Sequence, residues 1–200
     1  MTKSLLSGFF IIFIFSWVPY SVAENLFRHY REKNVQQKSV QTKKPLYDQK
    51  RQWLWEKPDH WTKDLSSKDK MSFLRFKVSS DALQGDEEGL CTLTFLPLIA
   101  GDLRPNIERW MRQLNLSLSA EVIDNWIEKT PQKKTSSGLP FRSFDFGEFV
   151  KKADSSNILV VVLPLPKNIA FVKLTGSKAL IESQKTFFFG FIDSLKERNG

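Results

Sequence analysis

Ile158-Leu159-Val160-Val161-Val162-Leu163-Pro164-Leu165 is an unbroken apolar run rich in β-branched residues. It is too short for a buried helix and does not alternate, so it reads as a central strand covered on both faces. Pro164 and Lys167-Asn168 mark a hairpin turn, which returns the chain as a second strand over 168–175. A third strand precedes the run at 140–147. Farther upstream, residues 70–79 place Leu74, Phe76 and Val78 on one face. Residues 90–96 do the same with Cys91, Leu93 and Phe95. Between these two groups of strands the apolar period changes from two to about 3.6 residues.

Ile107, Trp110, Met111 and Leu114 follow i, i+3, i+4, i+7 and predict an amphipathic helix, with Asp102 and Pro105 at its start. A second helix is capped by Ser119 and turns Val122, Ile123, Trp126 and Ile127 to one side. Thr130–Gly138 reads as a polar loop. A last helix over about Ser177–Lys196 carries the stripe Leu180, Phe187, Phe188, Phe191, Ile192 and Leu195. Phe189 stands roughly 130° from the centre of that stripe at 100° per residue. Exposed, it is a contact site; otherwise the tryptophans Trp53, Trp55 and Trp61, read as capping an open end of the core, cover it. The order is two strands, two helices, three strands, one helix. That is an α+β domain, a mostly antiparallel sheet of about five strands flanked by helices, and not a doubly wound parallel sheet.

The chain has 200 residues and a formal net charge of +8. Its basic excess is local: residues 24–52 hold eight Lys or Arg and three Asp or Glu, whereas residues 53–200 hold 21 and 19. The balanced part lacks a glycine-aromatic RNA signature and zinc-finger spacing, so no nucleic-acid partner is expected. The basic part reads as a polar linker in which Arg28, Arg31, Lys33, Lys43 and Lys44 are solvated charges. Contact with anionic lipid through these residues is the alternative. Ahead of it, Lys3, the apolar stretch Leu5–Val18, Pro19 and Ser21-Val22-Ala23 form the three parts of an export signal. The expected organisation is therefore a signal peptide at 1–23, a linker at 24–52 and one α+β domain at 53–200. A membrane anchor through residues 5–18 is the competing reading, though the stretch is shorter than the roughly 20 residues of a span.

A single cysteine, Cys91, excludes an internal disulfide. It sits on an apolar strand face and reads as core. With His29 and His60 as the only histidines, no metal or cofactor is expected. The acidic turn Asp81–Gly89 lacks the spaced oxygen ligands of a calcium loop. The chain has no G-x-S-x-G elbow, phosphate loop, H-E-x-x-H or dinucleotide fingerprint. No catalytic residue is assigned. A small hydrolase would have to use acidic pairs such as Asp59 and Asp64, or Asp145 and Glu148, in a cleft.

Two stretches carry a resemblance. Asn106-Ile107-Glu108-Arg109-Trp110-Met111-Arg112-Gln113-Leu114 fits an N-[VI]-x-R-W-x-x-Q-[LI] pattern. Phe171-Val172-Lys173-Leu174-Thr175-Gly176, followed by Gln184-Lys185, Phe188, Phe191 and Ser194-Leu195, fits F-[FV]-K-L-T-G with a helix ending F-x-x-F-x-x-S-L. Together they resemble a family of exported bacterial proteins, often lipoproteins, with no assigned activity. The element order resembles the Mog1/PsbP α/β/α sandwich, used mostly by non-catalytic accessory proteins. The resemblance covers roughly residues 53–198 and implies export and a single domain. The chain lacks the lipobox cysteine, so membrane attachment does not carry over. The binding candidates are Asn106, Arg109, Arg112 and Gln113, with Phe189. Asn106, Arg109 and Gln113 share a helix face, and guanidinium forks suit carboxylate or phosphate. The expected function is a periplasmic or extracellular accessory or binding domain whose partner is a protein at the cell envelope.

Overall fold

The run at 158–165 folds as strand β7 (Ser156–Pro164), buried along its whole length after Ser156. The computed structural model describes residues 53–65, 71–79 and 88–198. Strand β7 turns into β8 (Asn168–Ser177), with Pro164 opposite Ile169 and Ser156 opposite Ser177. On the other side of β8 lies β4 (Glu88–Pro97), and beyond it β3 (Leu74–Ser79). Strand β6 (Pro140–Asp145) flanks β7. Every one of these pairings is antiparallel; β7 and β8 are joined by a tight turn, and two helices carry the chain from β4 across the sheet to β6.

The sheet is wider than the five strands expected. Among the described residues it has seven, because Thr62–Lys63 (β2) extends the β3 edge and Lys133–Lys134 (β5) extends the β6 edge. Each is two exposed polar residues, too short to show a period. The polar loop expected at Thr130–Gly138 thus contains an edge strand. Trp53–Leu54 (β1) and Lys196–Glu197 (β9) pair as a separate ribbon.

Helix α1 (Leu103–Gln113) starts after Asp102, and Pro105 falls in its first turn. Helix α2 (Ala120–Lys129) is capped by the Ser119 hydroxyl, which accepts from the Val122 amide. Helix α3 (Lys178–Ser194) begins after Ser177, whose hydroxyl accepts from the Leu180 amide.

Strand alternation sorts the core into two layers. Leu159, Val161, Val172 and Leu174 pack with α3 through Ile181, Phe188, Phe191 and Ile192. Ile158, Val160, Val162 and Phe171 pack with α1 and α2 through Ile107, Trp110, Met111 and Ile123. The result is helix, sheet, helix. Gly89 and Gly176 make the α3 contact close: a Cβ on either would meet the Leu180 side chain at 2.6 and 2.7 Å. Cys91 is fully buried in the α3 layer, and burial holds its thiol pKa far above the ordinary value. Trp61 is buried in the same layer against Phe76 and Phe191 rather than at an open end. The Trp61 indole N–H donates to Gln184 Oε1 at 3.1 Å, and His60 Nε2 bonds the same oxygen at 2.8 Å, which satisfies the carboxamide oxygen of the buried Gln184.

Two apolar positions differ from expectation. Val122 is exposed, because it stands roughly 100° around α2 from the buried Ile123. Phe187 is 47% exposed, while Phe189 is half-buried against the α3 layer, 5.6 Å from the Phe188 ring. The covered arc of α3 extends through Phe188 and Ile192 toward Phe189 and stops short of Phe187.

The loop after β5 is tied to the end of α3. The Ser136 amide donates to Asp193 Oδ1 at 2.7 Å, its hydroxyl donates to Oδ2, and Ser137 Oγ donates to the Leu195 carbonyl at 2.8 Å. The Ser136 hydroxyl, then its amide, hold the Asp193 carboxyl below its ordinary pKa of 3.8. A lowered folded pKa stabilises the tether above the ordinary value and loses that contribution as pH falls through the folded value. The Ser136 amide is therefore expected to lose exchange protection below about pH 4, and Asp193→Asn is expected to flatten that dependence. Hydrogen exchange of the Ser136 amide against pH checks both.

A candidate binding groove beside α1

The pleat gives the sheet one face toward α1 and α2, and that face is not uniform. Across it, Arg75 stands opposite Thr92, Thr92 opposite Lys173, and Lys173 opposite Val160. The next row is Lys77, Leu90, Thr175 and Ile158, and the row on the other side holds Thr94, Phe171 and Val162. The β7 end of each row is apolar and lies in the layer formed by α1 and α2. The β3–β4 end is polar and forms a groove of about 340 Å³.

Helix α1 walls this groove with Arg109, Trp110 and Gln113. Strand β4 contributes Leu90, Thr92, Thr94 and Leu96; β8 contributes Phe171, Lys173 and Thr175; Arg75, Met71 and Ser72 close the far side. Among the described residues the lining holds three cationic side chains and no carboxylate. Arg75 Nε donates to Asp64 Oδ2 at 3.0 Å, and the Asp64 side chain is only 5% exposed. Thr175 Oγ1 donates to the Leu90 carbonyl at 3.2 Å, which fixes its rotamer at one end. Trp110 is buried, its ring 5.6 Å edge-on to Phe171, so the wall is rigid at its root.

Arg109 is held from below. Asn106 is buried and is not part of the exposed helix face on which the spacing places it. Its Nδ2 donates to the carbonyls of Asp102 at 2.6 Å and Ala100 at 3.2 Å, and its Oδ1 accepts from Arg109 Nη2. One carboxamide thus closes the start of α1 and aims the guanidinium. Among the described residues no carboxylate forms an ion pair with Arg109.

Of the sequence candidates, Arg109 and Gln113 both line the groove and Asn106 supports Arg109. Arg112 is exposed and does not line it. Phe189 belongs to the α3 layer, on the other side of the sheet. Arg28, Arg31, Lys33, Lys43 and Lys44 lie outside the described residues, as does the apolar stretch 5–18. No helix among the described residues is long and apolar enough to cross a membrane. One member of each acidic pair is engaged: Asp64 holds Arg75 at the edge of the groove, and Asp145 accepts from the Gly147 amide at 2.8 Å and pairs with Lys185 at 2.7 Å.

The groove joins the two motif stretches. Arg109, Trp110 and Gln113 come from the first; Phe171, Lys173 and Thr175 come from the second. No protein-family model matches the chain. No curated protein matches it either. Among solved structures, a protein of unknown function from Pseudomonas aeruginosa overlaps it with a TM-score of 0.37 at 14% identity, over 70% of this chain and 99% of the other. CyanoP, the cyanobacterial PsbP of Synechocystis, overlaps with a TM-score of 0.39 at 11% identity, over 74% of this chain and 94% of its own. At those scores the likeness assigns neither a fold family nor an activity.

Lys173, Thr92, Thr175 and Arg75 are groove residues that the sequence reading did not single out. The signal for two of them was present. In Phe171–Thr175 the polar Lys173 and Thr175 alternate with the apolar Val172 and Leu174, so they face away from the α3 layer. Which face carried a groove depended on how far α1 reaches across the sheet.

Proposed function

We propose that this chain is an exported, non-catalytic binding domain of the bacterial cell envelope that engages a protein partner through the groove beside α1. The observation that carries the reading is that Arg109, Gln113, Thr92 and Lys173 line one trough, where side-chain donors from helix and sheet converge and Asn106 holds Arg109. Donors of this kind orient a carboxylate or a backbone carbonyl by hydrogen bonds. The export signal, the linker and the balanced charge of residues 53–200 support the envelope location.

Site-specific photocrosslinking in the native cell tests this reading. A photoreactive residue at position 113 is expected to trap a partner, and Arg109→Ala is expected to suppress the product. The same probe at Phe187, exposed on the opposite layer, is expected to trap none. Trapping only from position 187, or from neither, overturns the groove as the binding surface. The intact mass of the protein from an extracytoplasmic fraction, expected to begin at Glu24, tests export.

A further inference from the structure

The groove's shape and its pattern of polarity narrow the ligand. Its floor follows alternate residues of β4, from Leu90 through Thr92 and Thr94 to Leu96. The six residue-to-residue steps from Leu90 to Leu96, at about 3.3 Å each, make a trough roughly 20 Å long. An open trough of that length, walled along one side by α1, matches the run of one extended chain.

Polarity changes along the trough. The middle holds Arg75, Thr92 and Lys173 in one cross-strand row, with Arg109 above. Neighbouring strands stand about 4.8 Å apart, so Arg75 and Lys173 root roughly 10 Å apart with Thr92 between them. Leu90, opposite Thr175, lies at one end; Leu96 and Phe171 lie at the other. An extended peptide turns residues i, i+2 and i+4 to one side at about 6.6 Å spacing, the same spacing as the rows beneath it.

Resting on the reading of the groove as a protein-binding surface, we propose that it binds an extended segment of a partner protein in which one Asp or Glu is flanked at i−2 and i+2 by apolar side chains. The acidic side chain meets Arg109 over the Thr92 row. The apolar pair covers Leu90 on one side and Phe171 with Leu96 on the other. The charge fixes the register and the apolar ends fix the length, so neither free phosphate nor an isolated carboxylate satisfies the whole trough.

Fluorescence anisotropy with the labelled heptapeptide Thr-Val-Ser-Glu-Ser-Val-Thr tests the proposal on the full mature chain. Three changes are each expected to weaken binding about tenfold or more: Arg109→Ala in the protein, Gln in place of the peptide Glu, and Ser in place of both peptide Val residues. Raising salt from about 50 to about 500 mM is expected to weaken the Glu peptide but not the Gln peptide. Phe187→Ser is expected to leave binding unchanged. Failure of the peptide to bind, or equal binding of all three peptides, overturns the proposal. So does full competition by inorganic phosphate or by phosphatidylglycerol vesicles at the concentration of the peptide. If crosslinking from position 113 persists in such a case, the groove remains a binding surface and only the ligand class is wrong.

Discussion

Phe191→Ala is expected to destabilise the domain by about 3–5 kcal/mol, the largest effect of any single truncation considered. Phe191 is 1% exposed and sits where α3 crosses the sheet. Its ring centroid lies 5.7 Å from that of Trp61 and 5.8 Å from that of Phe76, the latter edge-on. Truncation removes the apolar area of the ring and opens a cavity that cannot collapse. Trp61 is held by its bond to Gln184, and Phe76 is fixed on β3 opposite Cys91. A domain of this size is typically stable by only about 5–15 kcal/mol, so the variant should sit close to its unfolding threshold at ambient temperature. Urea unfolding checks this: the midpoint falls while the slope is unchanged, because the surface exposed on unfolding is the same. Phe187→Ala four residues earlier is the internal comparison. Its side chain is half out in water with its ring against His60, so its cost should stay within about 0.5 kcal/mol. Equal costs for the two variants would contradict the rotation of α3 about its axis described above.

That comparison also shows why the core was readable and the orientation of α3 less so. Leu74, Phe76 and Val78, or Cys91 and Leu93, alternate cleanly because one side of a strand meets α3 and the other meets a polar row. A helix carrying Phe187, Phe188 and Phe189 in succession spreads apolar residues over about 200° of its circumference, and periodicity then does not fix the edges of the buried arc. Tertiary cover decided it. The short edge strands were invisible for a different reason. Thr62–Lys63 and Lys133–Lys134 are strands only because a neighbour offers hydrogen-bond partners. Nothing in two polar residues announces that.

The groove divides in the same way. Arg109 and Gln113 follow from helical spacing, since both lie off the apolar stripe of Ile107, Trp110 and Met111. Thr92 and Lys173 do not follow from spacing alone. They are brought together by register, Thr92 facing Lys173 across β4 and β8, and register between strands some 80 residues apart is set by the packed sheet as a whole. Asn106 shows the limit most sharply. Helical geometry correctly puts it one turn before Arg109, yet it is buried beside the 3₁₀ turn Leu98–Ala100, whose return path no local pattern describes.

Asn106→Ala is accordingly expected to have two separable consequences. The first is a loss of stability of about 1–3 kcal/mol, because the carbonyls of Ala100 and Asp102 lose the Asn106 carboxamide donor at the buried start of α1. The second falls on the groove. Without the Oδ1 acceptor, Arg109 Nη2 is no longer held, and its guanidinium must be ordered at the moment a ligand binds. Affinity for an acidic segment should fall by about fivefold to tenfold even at temperatures where the variant is fully folded. A merely structural role would not give that result, and a double-mutant cycle separates the two. If Asn106 acts on binding through Arg109, adding Asn106→Ala to Arg109→Ala should weaken binding no further. The stability loss should persist in the double variant, since the carboxamide donor to the two carbonyls is missing whether or not the guanidinium is present. Additive losses in binding would instead mean that the start of α1 itself moves, and that the groove wall rather than its arginine is what Asn106 maintains.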